Sequence, residues 1–320
     1  MPAFSHLNVH SEYSLANGTV RLSHLIDRCV KLSMPSVAVT DQGNLFAVVK
    51  FYRQAIAKGI KPIIGVDLMI KGQDGNNSRL ILLCQNKAGF KNLTRLVSRS
   101  YLEGQSFGLP GIQKQWLTDN SQGLIALSSG VQGDIGQALL AANSELAKEN
   151  IEAWLQLFPG RFYLEIQRIG RHGENAYLEA AEHFAFTHGI PLVASNAVQF
   201  LDEDGFEAHE ARVCIHEGRI LSDTRRPRQF THQQFLRSPE QMQVLFADLP
   251  EALDNSIEIS KRCNLQLELG KNFLPAFPLP DKQNLQDYLT EQAKQGLQHR
   301  FAQLEISEED KQNEYSHRLH

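Results

Sequence analysis

Short apolar runs alternate with helical patterns through the first two hundred residues, and this rhythm constrains the fold more than any other feature of the chain. The runs cover residues 6–10, 36–40, 62–69, 80–84, 123–127, 162–166 and 191–194; helical spacing covers 22–32, 45–58, 92–101, 135–142, 144–157 and 174–187. Strand and helix patterns in strict alternation predict repeated βα units around a parallel sheet. Lys58-Gly59-Ile60-Lys61-Pro62 and Thr187-His188-Gly189-Ile190-Pro191 have the form of helix-to-strand turns, with a glycine closing the helix and a proline opening the strand. Seven strands in this order predict an α/β fold, a distorted seven-stranded (β/α)7 barrel, one unit short of the eight-stranded form.

At 320 residues the chain is long enough for one barrel with appendages, and 42% hydrophobic against 21% charged residues is an ordinary balance for a packed core. A formal net charge of −4 and a pI near 6.3 argue against a module that wraps nucleic acid by bulk charge. The start, Met1-Pro2-Ala3-Phe4-Ser5, has no basic leader region, and nowhere do eighteen apolar residues occur together, so the chain is expected in the cytoplasm and off the membrane. Cys29, Cys84, Cys214 and Cys263 are widely spaced, without a C-x-x-C pair, and are expected as buried free thiols.

In a parallel barrel the site is built where strands end. Here those ends carry His10-Ser11-Glu12, Thr40-Asp41-Gln42, Asp67, Gln167-Arg168 and Ser195-Asn196. The first run contains His6, Asn8 and His10, which a strand would place on one face. Two imidazoles can converge on a cation, but the amide of Asn8 is a poor ligand for zinc or manganese. Either the metal is gone or its ligands lie elsewhere.

The segments His6-Leu7-x-Val9-His10-Ser11-Glu12-Tyr13-Ser14, Thr40-Asp41-x-Gly43-Asn44-Leu45-Phe46 and Gly59-Ile60-Lys61-Pro62-Ile63-Ile64-Gly65 closely resemble the amino-terminal PHP (polymerase and histidinol phosphatase) domain of bacterial DNA polymerase III alpha subunits. Phe162-Tyr163-Leu164-Glu165, Ser195-Asn196-x-Val198, Ala208-His209-Glu210, Lys261-Arg262-Cys263 and Asn272-Phe273-Leu274-Pro275 extend the resemblance over nearly the whole chain. It implies a PHP barrel with appended helices over 1–273, a proline-rich linker over 274–283, and the first part of a polymerase core, on its palm and thumb side, over 284–320.

Metal-binding members of that family hold up to three divalent ions with strand-end histidines and carboxylates. Position by position, the resemblance leaves His10, Asp41 and Asp67 as the surviving candidates. It implies that Asn8, Gln42, Arg79, Ile169 and Gln199 stand where histidines belong, Ala197 where an aspartate belongs, and that a carboxylate is missing near Asn17. A multinuclear centre needs several anionic or imidazole donors around each cation, so this inventory predicts a vestigial, metal-free site with no catalytic residue in this chain. Arg79 would add a fixed cation and could pair with Asp41 or Asp67.

Each residue also has a plainer role. His10 serves as a ligand or as a hydrogen-bonded histidine at the barrel mouth, and the second is preferred; Asp41 and Asp67 are read first as ion-pair or loop-capping groups. His6 is read as structural, and Glu12, Tyr13 and Ser14 as organisers of the first loop. His209, Glu210 and His216 do not form an H-E-x-x-H pair. Arg225, Arg226 and Arg228 form the strongest basic cluster, a solvated loop unless it contacts nucleic acid or a protein partner.

For the intact protein the resemblance implies DNA-directed DNA polymerisation with Mg2+ held by carboxylates absent from these residues. Its expected partners are DNA, the rest of the alpha subunit and the proofreading exonuclease subunit, which the PHP domain would dock. The rival expectation is an active metal-dependent phosphoesterase or 3′–5′ exonuclease. The charged end, 307–320, lacks a hydrophobic period, is expected to be poorly ordered, and looks like a truncation inside a larger protein.

Overall fold

A computed structural model describes residues 4–72, 75–106, 108–272, 274–280, 283–304 and 309–319. Residues 1–3, Phe273 of the last family match and Ser307-Glu308 of the charged end lie outside the described residues. The chain divides into two compact units, Met1–Leu267 and Glu268–His320.

The first unit is a curled mixed sheet wrapped by helices. Its strands are β1 (Ser36–Val39), β2 (Lys61–Ile70), β3 (Ser78–Cys84), β6 (Leu124–Leu127), β7 (Phe162–Gln167) and β8 (Leu192–Ser195), hydrogen-bonded in that order. A separate two-stranded ribbon joins β4 (Gln105–Ser106) to β5 (Leu109–Pro110). The helices are α1 (Leu22–Lys31), α2 (Val48–Ala57), α3 (Lys87–Leu102), α4 (Asp134–Leu140), α5 (Ser144–Leu157), α6 (Glu174–His188), α7 (Phe206–Glu217), α8 (Pro239–Leu245) and α9 (Pro250–Arg262).

Two expectations need correction. The strand expected over residues 6–10 is an extended segment with only isolated bridges, His6 to Val37 on one side and Val9 to Val198 on the other. It still closes the ring: Ala38 N–H donates to His6 O at 2.8 Å, Thr40 N–H to Val9 O at 2.9 Å and Val198 N–H to Asn8 O at 3.0 Å. Nor is the sheet all parallel. β2 and β3 follow one another without a helix, so β3 runs antiparallel to both β2 and β6. That reversal brings the start of β3 to the rim where the parallel strands end.

Every residue of β1, β6, β7 and β8 is buried. Covered on both faces, such strands read as unbroken apolar runs without alternation. Helix α3 starts five residues before the predicted 92, because the Asn86 side chain accepts from Gly89 N–H at 3.0 Å and caps a first turn with little hydrophobic period. Trp154 of α5 stacks on Phe162 with ring centroids 6.0 Å apart and donates its indole N–H to Asp134 at 2.9 Å, tying α5 to α4 and β7.

In the second unit, α10 (Leu285–Gln303) and α11 (Glu309–Leu319) are both helical. The expected disorder at the end is therefore not what residues 309–319 adopt; surface charge pairs such as Arg318 with Glu314 suit a helix that lacks an apolar stripe.

Candidate functional site

The rim assembles the sequence-predicted residues around one small cavity of about 130 Å3. The N-terminal segment supplies Asn8 and His10, the turn after β1 Gln42, β2 Asp67, β3 Arg79, and the segment after β8 Ala197 and Gln199. Register explains one contact within it: Asp67 faces Ile81 across the β2–β3 ladder and Arg79 faces Met69, so Arg79 lies diagonally beside Asp67 on the same face. Its Nε donates to the two Asp67 oxygens at 2.9 and 3.0 Å, and Nη2 stands 2.9 Å from Oδ2. Burial alone would push the Asp67 carboxyl up; the Arg79 guanidinium and His10 outweigh it and hold Asp67 below the usual carboxylate range.

His10 sits between Asp67, 3.4 Å from Nε2, and the Ser14 hydroxyl, 3.3 Å from Nδ1. Asp41 is saturated by the first loop. It accepts from Ser11 N–H at 2.6 Å, from the Ser11 hydroxyl at 2.7 Å and from the Ser14 hydroxyl at 2.7 Å. Burial pushes Asp41 above the carboxylate range against those hydrogen bonds. The role of Asp41 here is to cap a loop, which is the plainer of the two roles the sequence allowed.

Several predicted residues stand elsewhere or differently. Ile169 is fully buried, and its N–H donates to Glu174 at 2.8 Å, so its place after β7 brings backbone and no donor side chain. Arg168 turns outward to clamp Asp248 at 2.6 and 2.7 Å. Asn17 donates to Gln42 at 2.5 Å, two amides satisfying one another. His6 is buried against Phe4, its Nε2 2.9 Å from Arg237 O, and burial lowers its pKa to about 4. His209 packs on Phe230 and bonds Asn17 O at 2.8 Å, while Glu210 pairs with Arg226 at 2.5 Å. That pair corrects the basic-cluster reading: Arg226 is buried, leaving Arg225 and Arg228 exposed.

Three contributors were not foreseen. Glu165, fully buried in β7, accepts from Asn8 at 3.0 Å, from Gln167 at 3.2 Å and from Ser195. Burial pushes its carboxyl up, against those hydrogen bonds. A glutamate inside the apolar run 162–166 was the available signal, since carboxylates are seldom fully buried without a partner. Ser129 and Arg171 also line the cavity, and nothing in their local sequence marks them.

The donors present do not fit a metal centre. Asp67 is engaged by a guanidinium and Asp41 by two serines; among the described residues no group of three or more His, Cys, Asp or Glu side chains is placed to hold a metal ion. A fixed cation on a carboxylate disfavours a second cation there.

Residues 6–169 match the PHP domain. The chain belongs to the PHP family. It is 47% identical over 304 residues to the DNA polymerase III subunit alpha of Pseudomonas aeruginosa, covering 94% of this chain and 26% of that protein. It is 44% identical over 323 residues to the Escherichia coli K12 protein of that name, covering 99% of this chain and 28% of that protein. The PHP chain thus spans about a quarter of the length of the curated relatives it matches. An amidohydrolase structure from Chromobacterium violaceum aligns at 14% identity with a TM-score of 0.45, covering 66% of this chain and 97% of that one. Among the described residues, no helix of this PHP chain is long and apolar enough to cross a membrane.

Proposed function

We propose that this chain is the amino-terminal PHP domain of a DNA polymerase III alpha subunit, acting in chromosomal DNA replication in the cytoplasm. The observation that carries the reading is the 44% identity maintained over 99% of the chain, through the appended helices as well as the barrel. In the intact protein, nucleotidyl transfer to DNA would use Mg2+ held by carboxylates outside these residues.

Within that protein the PHP domain has exchanged hydrolysis for support. Its vestigial centre, His10, Asp41 and Asp67, binds no metal; it stabilises the polymerase and docks the proofreading exonuclease subunit. Support comes from the Arg79–Asp67 pair and the Asp41–serine cap, which turn both carboxylates into structural groups. Arg225 and Arg228 remain available for a contact with DNA or protein.

Two measurements on the full-length protein test this. Metal analysis after purification is expected to find no stoichiometric ion that depends on His10, and a His10→Ala control separates the barrel from the polymerase site. Stoichiometric zinc or manganese lost in that variant, with phosphate release abolished by a chelator, would establish the phosphoesterase instead. Titration with the exonuclease subunit is expected to saturate, and absence of binding at micromolar concentrations would overturn the docking role.

A further inference from the structure

At the end of the sheet opposite the rim, where β2 and β7 start and β3 finishes, basic side chains gather although the formal net charge of the chain is −4. Helix α3 carries Lys87, Lys91, Arg95 and Arg99 and no acidic residue. The first three are exposed and recur every fourth residue, which sets them on one face of the helix ~6 Å apart along its axis. Arg99 is taken by Glu103 at 2.7 Å, whereas Lys91 and Arg95 form no ion pair among the described residues. Like charges four residues apart on a helix repel, so this stripe weakens α3 unless an anion meets it.

Three more cations carry the stripe across the floor of the sheet. Asn92 of α3 donates to Gln122 O at 3.0 Å, and Arg161 Nη1 donates to Ser121 O at 2.6 Å and to Leu124 O at 2.7 Å, so one turn links α3 to Arg161. Arg262 Nη2 reaches Gly160 O at 2.8 Å, beside Arg161; burial, and then Arg262, lowers the Arg161 pKa. Asn264 N–H donates to Gln85 O at 2.7 Å just ahead of α3, and the Asn264 side chain accepts from Lys61 Nζ at 2.8 Å. Among the described residues Lys61, Arg161 and Arg262 bond only carbonyls, an amide oxygen and the Tyr163 hydroxyl, and none has a carboxylate partner. Lys261 nearby is paired with Glu258.

Protein interfaces are centred on apolar and aromatic side chains, whereas contact with a nucleic-acid backbone needs only cations and neutral donors. No large apolar side chain is exposed over residues 85–98, 118–124, 158–163 or 258–264. The ~12 Å from Lys87 to Arg95 spans about three to four phosphates of one strand. We propose that this floor is a contact surface for the phosphodiester backbone of DNA, with Lys91 and Arg95 as its exposed cations and Lys61, Arg161 and Arg262 supplying the field behind them. Such a surface holds DNA without reading its sequence. The proposal rests on the reading of the chain as part of a DNA polymerase and adds a surface to it.

The test is the affinity of the full-length protein for a fluorescent oligonucleotide, single-stranded and duplex, between about 50 and about 200 mM salt. Lys91→Gln combined with Arg95→Gln is expected to weaken binding several-fold at the low end. It should also flatten the slope of log affinity against log salt by up to about 1.8 on duplex or about 1.4 on single strands, and the form that shows the loss is the one bound. Both side chains are exposed, so the fold survives their replacement. Arg53→Gln combined with Lys148→Gln, which removes as much charge from α2 and α5, is expected to leave the slope unchanged. An unchanged slope in the floor variant while the wild type binds DNA, or an equal loss in the control, overturns the proposal. So does saturable binding of polyglutamate that only the floor variant loses while its DNA binding is intact, which would make the floor a docking face for an acidic protein. Absence of DNA binding by the wild type overturns the polymerase reading and this proposal together.

Discussion

Arg79 and Asp67 form a partly buried, forked ion pair across the β2–β3 ladder, with the guanidinium Nε 2.9 and 3.0 Å from the two carboxylate oxygens. The antiparallel course of β3 brings this cation onto a carboxylate at the rim of the cavity.

Removing one partner should cost more than removing both. Arg79→Ala leaves a buried, uncompensated charge on Asp67 and is expected to destabilise the domain by about 3 kcal/mol. Adding Asp67→Asn should recover much of that. Urea unfolding of the single and double variants measures the coupling; strictly additive losses would show that the pair contributes nothing beyond its separate parts.

Stability should fall in mild acid through His6. Its folded pKa of about 4 lies below the ordinary 6.5, so the unfolded chain takes up the proton first as pH drops. The contribution is flat above 6.5, declines between 6.5 and about 4, and is flat again below. At ~1.4 kcal/mol per pH unit the whole loss is at most about 3.5 kcal/mol. Comparing the melting profiles of wild type and His6→Phe over pH 4–7 isolates it; parallel profiles would assign the acid sensitivity to other groups.

Gly89 is required by contact. A Cβ there would stand 1.8 Å from Gly123 O, backbone that cannot swing aside. Gly89→Ala is expected to cost upwards of about 2 kcal/mol by forcing α3 away from the turn before β6. Thermal unfolding checks this, and a variant as stable as wild type would mean the helix shifts freely.

The thiols should be silent in the folded protein. Burial pushes Cys29 and Cys263 up to about 12 and raises Cys84 as well. Since the thiolate is the reactive form, labelling by a disulfide reagent is expected only at the rate of unfolding. Fast labelling of any of the three in native buffer would contradict their placement.

Much of the fold was legible because periodicity is a local property. Runs such as 36–40 and 191–194 and the helices between them are specified by burial pattern and turn chemistry within a few residues. The course of β3 was not, since the five-residue apolar run 80–84 reads the same in either direction. The N-terminal segment also reads as a strand, although its neighbours allow it only isolated bridges. For the site, the residue types at 8, 42, 79, 197 and 199 were legible, and the metal-free centre expected from them is what the metal analysis tests.

What the sequence determined alone, then, was which side chains the rim has available: amides at 8, 42 and 199, arginine at 79, and few imidazoles and carboxylates. The tertiary structure decided their partners. It joined Arg79 to Asp67, gave Asp41 to Ser11 and Ser14, withdrew Arg226 into a pair with Glu210 and brought Arg171 to the cavity from beyond β7. The physical reason is range. Propensity and periodicity act over a few residues, whereas an ion pair or a buried unpaired atom depends on groups that only the closed sheet brings together.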